Sequence, residues 1–152
     1  MKITFTKLLI LFFITMAFIP HKSEIKKTEE QIVDEIIEKE KLPYDLVTVT
    51  TYTVSEEQTD STPLITASGY KLDSVNPKGQ KVIAISRDLK RKYKFGQKVR
   101  VKGAGKLDGI YTVRDLMASR WTKKIDILIN PNDMGTKIRR VKLYNIKAYL
   151  DN

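Results

Sequence analysis

The chain has 152 residues, room for one domain with a modest core plus an appendage. At 41% hydrophobic and 30% charged it is globular rather than disordered. It contains no cysteine and a single histidine, His21, which excludes disulfides, thiolate metal sites, cysteine nucleophiles and histidine triads and leaves acid–base chemistry to carboxylates, Lys, Tyr or backbone. The net charge is +10, and residues 45–152 hold the whole excess, with 21 Lys and Arg against 11 Asp and Glu. A basic surface attracts polyanions: nucleic acid, anionic lipid or acidic cell-wall polymer.

Residues 1–21 read as a signal peptide or N-terminal membrane anchor. Lys2 and Lys7 supply the positive start, and the twelve residues from Leu8 to Ile19 form the apolar centre. That length is short for a membrane span and usual for a secretory signal. The expectation is an exported protein of the periplasm or cell envelope, with the segment either cleaved or kept as a membrane tether. Residues 22–44 form a charged helical linker. Ile32, Val33, Ile36 and Ile37 make an apolar helical stripe, Thr28 and Gln31 fit a capping box, and Pro43 provides the stop. This segment carries 7 acids and 5 bases, opposite in sign to residues 45–152. A solvated stalk is the default expectation for it, and packing on the C-terminal domain is the alternative.

From Leu46 the hydrophobic period becomes two, as in a strand. Strands are expected at 46–54, 64–67, 81–86, 98–102, 110–113, 125–129, 140–144 and 146–150. A polar loop falls at 55–61 and turns at Asn76-Pro77 and Lys78-Gly79, with a single helical turn at 88–93. Gly103, Gly105 and Gly109 read as hairpin glycines, because no helix opening with Lys-Ser/Thr comes after them as in a phosphate-binding loop. Many short strands with little helix argue for a small closed barrel or a sandwich over residues 45–152.

The residues that suggest chemistry lie at 110–129. Asp115 comes just after one apolar run, and Asp126 sits inside another between Ile125 and Ile127. Because strand side chains alternate, Asp126 must face away from its isoleucine neighbours. Both acids then face one shared cleft, or else each is held in an ion pair with nearby Arg114, Arg120, Lys123 or Lys124. No metal-ligating constellation and no cofactor motif is present.

The order of these pieces resembles the three-aspartate (3D) domain shared by certain peptidoglycan lytic transglycosylases. The matching features are Thr51-Tyr52 closing a strand, Pro63-Leu64-Ile65-Thr66-Ala67-Ser68-Gly69, Ile83-Ala84-Ile85, Phe95-Gly96-Gln97-Lys98-Val99, and the two aspartates eleven residues apart. The resemblance implies an all-β fold, a six-stranded double-psi β-barrel with a groove that holds the acids. It implies Asp126 as general acid and base with Asp115 as its partner, and peptidoglycan glycan strands as substrate. Around the groove it suggests Tyr52, Thr66, Ser68, Ser86, Asp88 and Trp121 as substrate-binding candidates. Trp121 has a second reading as an aromatic cap on the core. Two departures stand out: Ser86 lies where the family has its first aspartate, with Asp88 two residues on, and Leu116-Met117-Ala118 replaces Thr-Gly-Gly. The alternative function is a non-catalytic peptidoglycan-binding module. The cluster Arg87, Lys90, Arg91, Lys92 and Lys94 suits nucleic acid, but an export signal argues against such a partner, and none is expected.

Overall fold

The computed structural model describes residues 26–54 and 64–149. The expected signal or anchor segment and the polar loop at 55–61 lie outside them. Among the described residues no helix is long and apolar enough to cross a membrane.

Six strands close into a barrel: β1 (Tyr44–Tyr52), β2 (Val82–Ile85), β3 (Lys98–Lys102), β4 (Gly109–Leu116), β5 (Lys124–Leu128) and β6 (Lys137–Asn145). Around the barrel the order is β1-β5-β2-β4-β3-β6. β1 runs parallel to β5 and β2 parallel to β4, while the other four pairings are antiparallel. Closure gives every strand two neighbours, so no sheet edge is left to recruit another chain.

Alternation fills the interior. Val47 and Val49, Ile83 and Ile85, Val99 and Val101, Tyr111 and Val113, Ile125 and Ile127, and Val141 and Leu143 form one cluster, two residues from each strand. Burying an aliphatic side chain of this kind contributes about 1.5–3 kcal/mol. This interior row holds the barrel together and fixes which residues face outward.

The helix α1 (Glu29–Glu40) starts at the capping box, where Thr28 Oγ1 accepts from Gln31 N and Gln31 Oε1 accepts from Thr28 N. It ends at Lys41, whose left-handed backbone lets its N–H reach the Ile37 carbonyl. It is docked on the barrel rather than standing as a solvated stalk. Val33 and Ile37 are buried against Tyr144 and Ile146, while Ile32 stays exposed, so the apolar stripe is narrower than the sequence suggests. The acidic character of the segment has a partner: the outward row of β3. Lys98 Nζ meets Glu29 at 2.6 Å, Arg100 meets Asp34 through two bonds of 2.9 and 2.8 Å, and Lys102 meets Glu38 at 3.2 Å.

Two expected strands take other forms. Segment 64–72 makes only the isolated bridge Ile65 to Lys71 around a turn closed by Gly69 at φ 76. After Ile146 the chain turns into a short 3-10 helix, Lys147–Tyr149. The turn expected at 88–93 is a 3-10 helix, Arg87–Arg91, and the three glycines lie in or beside the β3–β4 hairpin.

Candidate active site: two aspartates flanking Ala84

Asp126 pairs with Ala84 across the antiparallel β5–β2 ladder, and Asp115 pairs with the same Ala84 across the parallel β2–β4 ladder. On the far side of β5, Asp126 pairs with Thr50 of β1. Residues directly opposite share a face, so Asp115, Ala84, Asp126 and Thr50 form one outward row across four strands. Two strand spacings separate the aspartate backbones, about 10 Å. The residue between them has only a methyl group.

Asp126 reaches this face by simple alternation with Ile125 and Ile127, which point into the barrel. Asp115 does not. Val113 points inward opposite Ile83, so regular alternation would also send Asp115 inward. The register shifts by one residue between Ile83 and Ala84, leaving Arg114 as an extra residue on β4. This bulge reverses the alternation beyond it. Asp115 turns out beside Ala84, and Leu116 turns in against the core.

The two carboxylates have different surroundings. Asp115 Oδ1 accepts from the backbone N–H groups of Ala67 and Leu116, each at 2.8 Å, which fixes its orientation. Asp126 is half-buried, and its Oδ1 accepts from Thr50 Oγ1 at 2.7 Å. Burial pushes the Asp126 carboxyl above its ordinary value, and the charge of Asp115 adds to the rise, against the opposing pull of the Thr50 hydrogen bond and the Lys124 charge. An acid biased toward holding its proton thus stands beside one anchored by two N–H donors, a division of labour suited to proton transfer.

Tyr52 lies under this row. Its side chain is buried with Leu72, Val82, Ala84, Met117 and Leu128 on the outer side of the barrel wall. Its Oη is buried and has no hydrogen-bond partner among the described residues. Burial, followed by the charges of Asp115 and Asp126, raises its pKa and keeps it a hydroxyl. It is an unused donor near both acids.

The remaining candidates divide. Thr66 is buried and its hydroxyl is used within its own turn: it accepts from Tyr70 N at 3.1 Å and lies 3.0 Å from Ser68 Oγ. Ser68 N–H donates to the Arg114 carbonyl at 3.1 Å, so this turn buttresses the bulge. Ser86 is fully buried, and its Oγ accepts from Lys124 N at 3.1 Å. Asp88 accepts from Lys123 N at 3.0 Å. Partial desolvation works upward on the Asp88 carboxyl, but bonds from Ser86 and from the backbone of Lys123, Asp88 and Leu89 outweigh it and lower its pKa. Ser86 and Asp88 therefore secure the start of β5. Trp121 is 38% exposed rather than a core cap, with Lys124 Nζ 3.6 Å above its ring centroid.

Thr50 and Ala84 belong to the site, and sequence reasoning passed over both. Alternation places Thr50 on the outer face of β1, but only the β1–β5 pairing puts it beside Asp126. Among the described residues no three His, Cys, Asp or Glu side chains gather as a metal site. No family model, curated protein or solved structure matches the chain.

Proposed function

We propose that the chain is an exported cell-envelope protein whose barrel is of the double-psi, three-aspartate type and cleaves peptidoglycan glycan strands as a lytic transglycosylase. The observation that carries this reading is the Asp115–Ala84–Asp126 row, with one carboxyl raised in pKa and the other held by two N–H donors. In the proposed reaction Asp126 gives its proton to the glycosidic oxygen as the bond from C1 of N-acetylmuramic acid to O4 of N-acetylglucosamine breaks. The resulting carboxylate takes the proton from the muramyl C6 hydroxyl as O6 bonds to C1. A 1,6-anhydro ring closes, Asp126 is again protonated, and no water is consumed. Asp115 supplies negative charge beside the developing oxocarbenium ion. In this reading residues 1–21 direct export or tether the protein, residues 22–44 brace the domain, and 45–152 carry the activity.

A second reading, a non-catalytic peptidoglycan-binding module, draws on a specific observation. Met117 is buried with Ala84 and Tyr52 where the family carries glycine, and Asp88 is engaged at Lys123 rather than in the row. The full chain incubated with isolated sacculi separates the two. Anhydro-ended muropeptides that disappear with Asp126→Asn support the enzyme. Sedimentation with sacculi and no product from any form supports the module.

A further inference from the structure

The acid row is flanked by two segments, and each presents a cation stacked on an aromatic ring. On one side Arg114, the bulge residue next to Asp115, lies 4.6 Å from the ring centroid of Tyr70. Tyr70 is itself held by Gln80 Nε2 at 3.1 Å. On the other side Lys124, two residues before Asp126 on the same face of β5, lies over Trp121, with Arg120 5.3 Å from that ring. Many other cations of this protein are consumed: Lys92, Lys98, Arg100 and Lys102 each meet a carboxylate. Arg114, Arg120 and Lys124 form no ion pair among the described residues.

A lysine beside a general acid works against it, because its charge favours the ionised carboxylate. Lys124 acts on Asp126 in that sense. The conflict disappears if the substrate brings its own anion to Lys124, since the neutralised pair no longer pulls on Asp126. We propose that Arg114 and Lys124 bind the carboxylates of peptide stems on the glycan strand, so that the site selects strands with anionic stems over strands whose stems are neutral. This inference rests on the proposed function for its substrate, and deepens it by naming the part of the substrate that is read. Stacking on Tyr70 and Trp121 holds each cation in place before binding. Two cations on opposite sides of the row suit a strand that carries anions at intervals along its length.

The test compares intact sacculi with sacculi whose stem carboxylates have been converted to neutral amides with carbodiimide and ammonia, using the full chain. Binding is measured by sedimentation and cleavage by product release. The expected result is binding about tenfold tighter to the unmodified sacculi, the size of one to two charge-assisted contacts at a partly exposed site. In the double variant Arg114→Gln, Lys124→Gln the ratio falls to near one. Lys106→Gln, in the β3–β4 turn, keeps the wild-type ratio. The pH profile adds a readout that a structural role would not move: Lys124→Gln alone shifts the alkaline limb of the rate profile to higher pH on amidated sacculi. Equal binding to both materials by the wild type, or an unchanged ratio in the double variant, overturns the inference. Carboxylate-dependent binding without any product leaves it standing while the enzyme reading falls.

Discussion

Asp115 and Asp126 face the same residue, Ala84, from opposite sides, one through a parallel ladder and the other through an antiparallel one. The arrangement depends on the single extra residue Arg114, which turns Asp115 out of the barrel. Asp126 forms no ion pair among the described residues, and a half-buried carboxyl of this kind has a stability cost that function would justify.

Burial holds the folded-state pKa of Asp126 above its ordinary value of 3.8. Its contribution to stability is therefore fully present below the unfolded pKa and is lost as pH rises through the folded one. Asp126→Asn keeps the Thr50 hydrogen bond and removes the charge. At pH 7 the variant is expected to be more stable than wild type by about 0.5–2 kcal/mol, and the difference shrinks as pH falls toward 4. Urea unfolding across pH 4–7 checks this; a variant less stable at pH 7 contradicts it.

Tyr52 Oη is buried with no hydrogen-bond partner among the described residues. A buried hydroxyl without a partner costs about 1–3 kcal/mol, so Tyr52→Phe is expected to leave stability unchanged or raise it by about 1 kcal/mol. A loss of stability in denaturant titration would mean that the hydroxyl is satisfied within the protein.

Arg100 is buried and faces Asp34 through two hydrogen bonds. Asp34→Ala leaves that guanidinium unpaired and is expected to cost about 1.5–3 kcal/mol and to loosen α1 from the barrel. The hydrogen bond from Arg100 lowers the Asp34 pKa. The pair's contribution is thus present above the unfolded value and lost as pH falls through the folded one. Hydrogen exchange in α1 should rise selectively in Asp34→Ala at neutral pH, and in wild type below about pH 4.

Tyr93 is fully buried and donates to Asp45 Oδ2 at 2.5 Å and to the Leu143 carbonyl at 3.0 Å, tying the 3-10 segment to β1 and β6. Tyr93→Phe removes the donor shared by Asp45 and the Leu143 carbonyl and is expected to cost about 1–3 kcal/mol by thermal unfolding. A neutral effect would show that neither bond contributes.

The legible and illegible parts of this molecule differ in range. The alternation at Ile125, Asp126 and Ile127 is local, so the outward face of Asp126 is readable directly. The capping box at Thr28 and Gln31 is equally local. Asp115 is not readable this way, because a bulge depends on the partner strand, and residues 110–113 by themselves continue its alternation inward. The docking of α1 is hidden for the same reason: Glu29, Asp34 and Glu38 find Lys98, Arg100 and Lys102 only once the barrel has placed β3 beside them. Segment 64–67 has strand composition but no strand to pair with, so it forms one bridge and a turn. Thr50 carries no signal of its own until β1 lies against β5.

Digestion of isolated sacculi by the full chain in water enriched in oxygen-18, followed by mass spectrometry of the soluble products, distinguishes transglycosylation by Asp126 from hydrolysis. Transglycosylation releases muropeptides ending in 1,6-anhydromuramic acid without solvent oxygen, and their rate of release is expected to fall about a hundredfold or more with Asp126→Asn. Reducing-end products carrying oxygen-18, or an Asp126→Asn variant as active as wild type, would contradict transglycosylation by Asp126.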